Sequence, residues 1–93
     1  MKKLGCTIYD KRLIQGYTMR ELIMIMEKNG IKISPTYINK IEKHSEIPAP
    51  DVLAQLARDL ELDGKELFKI ATQEKIDQLT RKVKDLYVWE VYR

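Results

Sequence analysis

Thr36, Tyr37, Asn39 and Lys40 lie close together and carry groups suited to reading base-pair edges. Lysine donates to guanine O6 and N7, asparagine pairs with adenine N6 and N7, and threonine bonds a base edge or touches a thymine methyl. Ile38, Ile41 and Glu42 are interleaved with them. At about 100° per residue, these last three share one side of a helix. Thr36, Asn39, Lys40 and Lys43 share the other side, with Tyr37 at the flank. Such a helix buries one face and offers amide, hydroxyl and ammonium groups on the other, as a helix entering a DNA groove must. A merely solvated helix has the same composition, so the neighbouring elements decide between the two readings.

Catalytic chemistry finds no comparable set. Cys6 and His44 are each the only residue of their type. There is no Gly-rich phosphate loop, no nucleophile and base at a known spacing, and no carboxylate pair with a site-like arrangement. No enzyme activity, cofactor or metal is therefore expected, and one cysteine excludes an intrachain disulfide framework. Cys6 reads as a small core residue and His44 as a solvent-facing residue at a helix end. Met19, Met24 and Met26 read as core filler.

The elements that must position the reading face are marked by caps. Leu4, Cys6 and Ile8, with Leu13 or Ile14, predict a first amphipathic helix ending at Gly16. Thr18-Met19-Arg20-Glu21 is a capping box, which starts a second helix that Asn29-Gly30 ends. Ser34-Pro35 is an N-cap followed by proline at the first helical position, so a third helix runs from there to about Lys43. Pro50 opens a fourth helix with Val52, Leu53, Leu56, Ala57 and Leu60 on one stripe. Asp63-Gly64-Lys65-Glu66 predicts a short fifth helix carrying Leu67, Phe68, Ile70 and Ala71. Residues 1–71 thus form one domain and 72–93 an extension. In the extension, Ile76, Leu79, Val83 and Leu86 follow a heptad seam, and the last seven residues suit helix or strand equally.

Composition fits one small folded domain. The chain has 93 residues, 44% of them apolar and 33% charged, with a formal charge of +3 and a pI near 9.0. Residues 1–47 hold nine Lys/Arg and five Asp/Glu, whereas 48–93 hold eight and nine. A basic front half and a near-neutral back half fit a polyanion on one face and self-association on another. The longest apolar run, Leu22 to Met26, falls far short of the ~20 residues of a membrane span. No signal-type stretch follows Lys2 and Lys3, so a cytoplasmic setting is expected.

Leu4-Gly5 with Ile8 and Arg12, Gly16-Tyr17-Thr18, Glu21-Leu22, Ser34 through Glu42, Pro48 through Leu53, Leu56-Ala57, Leu60, Leu62 and Leu67 form an ordered set. In that order they resemble the Cro/CI-type (XRE, lambda-repressor-like) helix-turn-helix family over residues 4–71. The resemblance implies an all-α, five-helix DNA-binding domain in a dimeric transcriptional regulator, with helices 2 and 3 as the helix-turn-helix. It places the base-reading sites at Pro35, Thr36, Asn39 and Lys40. Pro35 offers no side-chain hydrogen bond, so reading falls to Thr36, Asn39, Lys40 and Tyr37. Arg12 and Glu42 match the family's structural salt bridge, as a guanidinium fork facing an inward carboxylate should.

Departures from the family are local. Met19 stands where a backbone-binding glutamine is usual, and Ile23 where a small residue is usual. Leu22 to Ser34 is longer than the family's turn, and Met24–Ile33 reads as a lengthened helix 2 plus a longer connection. Phosphate contacts are then expected from Thr18, Arg20, Lys28, Lys32, Ser34 and Lys43. The resulting expectation is a repressor that binds double-stranded DNA as a homodimer on a palindromic operator, paired through Ile76, Leu79, Val83, Leu86 and Trp89. The alternatives are a protein–protein module or an antitoxin on the same scaffold, engaging a protein partner through the tail.

Overall fold

The capping signals in the sequence set where the helices begin. In a computed structural model, which describes the backbone of residues 3–91 and the side chains of 3–84, the chain forms α1 (Leu4–Ile14), α2 (Met19–Lys28), α3 (Pro35–Lys43), α4 (Pro50–Asp59) and α5 (Gly64–Val91). No strand occurs among the described residues. Thr18 accepts from the Glu21 amide while the Glu21 carboxylate accepts from the Thr18 amide, closing the capping box at α2. Ser34 accepts from the Tyr37 amide at the start of α3, with Pro35 at its first position. Both devices satisfy amides that the first helical turn leaves free.

Leu4, Ile8, Leu22, Met26, Ile38, Ile41, Leu56, Leu60 and Leu67 are fully buried and draw all five helices into one core. In α1 the buried face is Leu4, Gly5, Ile8 and Arg12, whereas Leu13 and Ile14 are exposed. The apolar residues near the end of α1 therefore do not belong to its packing face. Cys6 is also exposed, contrary to the expectation of a core thiol. Met26 is buried, Met19 is half-buried and Met24 is exposed, so only part of the methionine set fills the core.

Helix α2 ends at Lys28 with Asn29 as its C-cap, where Asn29-Gly30 marks the stop in the sequence. Gly30 takes φ +94°, a left-handed value that glycine adopts without strain. The Ile31 amide then bonds back to the Met26 carbonyl. Ile31 and Ile33 in the following connection pack against the core, so the segment ahead of α3 is anchored by burial. Asn29 adds a bond to Asp59 of α4, which also accepts from Gln55.

The fifth helix is the largest correction to the sequence reading. A short fifth helix was expected, with a helical or helix-strand extension from residue 72; α5 instead runs as one helix through Val91. Its described part includes the backbone of residues 87–91, a segment whose residues suit helix or strand equally and which is helical; Tyr92 and Arg93 lie outside the described residues. No glycine or proline follows Gly64, and Gln73 bonds to Asp77 one turn on. Leu67, Ala71 and Glu74 are buried and Gln78 is half-buried, a four-three-four stripe that docks the first half of α5. Beyond Gln78 every described side chain is exposed. A helix of 28 residues is about 42 Å long at 1.5 Å per residue. That length explains why the molecule measures 51 × 24 × 21 Å.

Candidate nucleic-acid interface

Helix α3 turns its two sides as the wheel requires. Ile38 and Ile41 are fully buried and Glu42 nearly so, while Thr36, Lys40 and Lys43 are exposed and Asn39 is half-buried. The exposed side carries two ammonium groups, a hydroxyl and an amide edge.

Glu42 is held by Arg12. The guanidinium Nε donates to Oε2 at 2.8 Å and one terminal nitrogen to Oε1 at 3.0 Å, with the carboxylate side chain fully buried. The other terminal nitrogen donates to the Tyr17 carbonyl at 2.9 Å, and the guanidinium carbon lies 5.4 Å from the Tyr9 ring centroid. Hydrogen bonding to Glu42 is the largest influence raising the Arg12 pKa, opposed by burial and reinforced by the carboxylate's charge. A bidentate pair of this kind fixes both distance and rotation between its two helices.

Gly5 sets how closely α1 approaches α3. A Cβ at that position would lie 2.5 Å from the Ile41 carbonyl oxygen and 2.8 Å from that of Glu42. Both obstacles are backbone, so the close crossing requires glycine. With the Arg12–Glu42 fork, it makes α1 a rigid back for α3.

Tyr37 is engaged elsewhere than at the outer face. Its ring packs against the core, and its hydroxyl accepts from the Ala49 amide at 3.2 Å. It thereby satisfies the backbone amide of Ala49, the N-cap of α4, a helix start that has no side-chain cap. Tyr37 thus helps to hold the α3–α4 connection, and its hydroxyl keeps a proton to donate.

The residues expected to hold phosphates surround α2 and the start of α3. Thr18, Arg20, Lys28, Lys32 and Ser34 are all exposed. The Thr18 hydroxyl and amide are both committed to the capping box. Ser34 uses one oxygen lone pair on the Tyr37 amide, and its hydroxyl proton is still available to an anion. His44 is exposed just past α3.

Ile76, Leu79 and Val83 lie on the outer side of α5 and are each about half exposed, at 51%, 52% and 48%. Leu86 and Trp89 continue along the helix, but their side chains lie outside the described residues. The exposed stripe adjoins an apolar groove formed by Ile47, Pro48, Pro50, Leu53 and Phe68.

Two positioning residues escaped the sequence reading. Glu74 of α5 is buried and accepts from the Leu4 amide at 3.2 Å, capping α1, where Lys3 makes no side-chain bond. Gln78 donates to the Ser45 carbonyl at 3.0 Å and ties α5 to the end of α3. The four-three-four spacing of Leu67, Ala71, Glu74 and Gln78 was the available signal, obscured by the more apolar seam beside it.

Comparison with models of known protein families, with curated proteins and with solved structures gives no match. Among the described residues, no group of three or more His, Cys, Asp or Glu is placed to hold a metal ion. No helix is long and apolar enough among them to cross a membrane.

Proposed function

We propose that this chain is a sequence-specific DNA-binding transcriptional regulator of the lambda-repressor-like helix-turn-helix type, acting as a repressor. In this reading α2 and α3 are the helix-turn-helix, and α3 enters the major groove with Thr36, Asn39 and Lys40 toward the bases. The observation that carries the proposal is the outer face of α3, polar and cationic, on a helix whose inner face is clamped by Arg12 and crossed closely at Gly5. A groove reader needs both properties, since base contacts discriminate only when the helix is held in one pose. Arg20, Lys28, Lys32, Ser34, Lys43 and the start of α2 supply phosphate contacts.

The exposed Ile76–Leu79–Val83 stripe supports a homodimer, which would place two α3 helices on half-sites about 34–36 Å apart. The same stripe and its adjoining groove also favour a second reading, a protein-binding module or antitoxin whose tail engages another protein.

Replacing Lys40 by alanine tests the assigned face. The expected result is relaxed preference at one base position in each half-site, a loss of about 1–3 kcal/mol in discrimination. Competition binding with single-base variants of a preferred duplex measures it. Full retention of the wild-type preference would mean that α3 reads DNA through another face or not at all.

A further inference from the structure

Beyond α3, a second cationic feature lies where the projecting half of α5 leaves the body. Lys3, Ser45, Gln78, Arg81 and Lys82 line an open cleft. The three cations are exposed, and none forms an ion pair among the described residues. Of the nearby acidic groups, Glu74 accepts from the Leu4 amide through Oε1 while its Oε2 is buried without a hydrogen-bond partner, and Asp77 accepts from Gln73 through Oδ1. The Arg81 Nε reaches only its own helix, at 3.5 Å from the Asp77 carbonyl. Three like charges around one concavity repel one another, and an anion placed there relieves that repulsion.

The position of the cleft identifies the anion. Ser45 follows α3 directly, two residues beyond Lys43, and its carbonyl is fastened to Gln78. The cleft therefore lies just past the C-terminal end of α3, close in the chain to Lys43. We propose that it holds a phosphodiester of the DNA flanking the half-site, so that α5 is a backbone clamp as well as the bearer of the apolar stripe. This rests on the DNA-binding reading above. Gln78 is the positioning residue, and Lys3, Arg81 and Lys82 supply the charge.

The test uses the full chain, a duplex that the wild type prefers, and the double variant Arg81→Ala/Lys82→Ala. Both side chains are exposed, so the thermal midpoint should not move. The dependence of log affinity on log salt should become shallower by about 2 for each bound chain, with the ranking of base variants unchanged. Shortening the flanks of the duplex should weaken the wild type and leave the double variant unaffected. Lys65→Ala/Lys69→Ala, which removes equal charge from exposed positions earlier on α5, should keep the wild-type slope. Selective wild-type binding with an unchanged slope in the Arg81/Lys82 variant overturns the clamp and leaves the DNA-binding reading intact. An equal fall in both variants also overturns it, by assigning the effect to net charge. If the wild type prefers no duplex, the DNA-binding reading fails and the clamp falls with it.

Discussion

Glu42→Ala should lower the stability of the folded chain by about 3–5 kcal/mol, the range for breaking one side of a buried ion pair. Small domains total only about 5–15 kcal/mol, so this is a large share. The cost lies mainly in what remains. Arg12, 7% exposed, would keep a charged guanidinium facing the site with two of its donors unmatched. Its remaining bond to the Tyr17 carbonyl cannot offset that desolvation. Chemical denaturation measures the loss. Combining Glu42→Leu with Arg12→Met should restore most of it, because an apolar pair of similar volume avoids the buried charge. A loss below about 1 kcal/mol for Glu42→Ala would instead describe a solvated surface pair.

Gly5→Ala should be destabilising by about 1–3 kcal/mol, the cost of overpacking a closed interface. In an open helix the same change would stabilise by up to about 1 kcal/mol, so its sign is informative. The added methyl would meet the carbonyl oxygens of Ile41 and Glu42, and no side-chain rotation can clear a backbone atom. Helix α1 must withdraw from α3, loosening the support of the proposed reading face together with the fold. Gly64→Ala is the matched control, since nothing lies within 4 Å of its Cβ position. Thermal unfolding of the two variants should move the midpoint down for Gly5 and leave it nearly still for Gly64. Equal midpoints would mean that α1 and α3 are not in close contact.

The parts of this fold that were legible in the sequence are those governed by local chemistry. Thr18 and Ser34-Pro35 start helices because their oxygens and the proline ring answer needs of the first turn, whatever the tertiary context. The two sides of α3 were legible because its apolar and polar residues separate cleanly at helical spacing. Where apolar character and burial part company, the sequence misleads. Leu13 and Ile14 are apolar yet exposed, while Gly5 and Arg12 are buried in the α1 interface, one by its smallness and one by its partner.

Helix α5 shows the same effect at greater length. Its inward stripe ends in Glu74 and Gln78, polar residues chosen for the bonds they make to Leu4 and Ser45. The more apolar Ile76, Leu79 and Val83 face outward. Periodicity alone picks out the second stripe, read as a seam for a second copy, and gives no sign that the first stripe runs on past residue 72. The bond made by Tyr37 was hidden for a related reason: a flank position on a wheel does not reveal that its hydroxyl meets an amide twelve residues away.

The most direct measurement is repeated selection of the full chain on a random-sequence duplex pool at two salt concentrations. A dimeric regulator reading DNA through α3 predicts enrichment of a two-fold-symmetric site, with half-sites about 34–36 Å apart and weaker binding at the higher salt. Salt-sensitive binding without sequence preference, or no binding at all, would contradict it and favour the protein-binding reading.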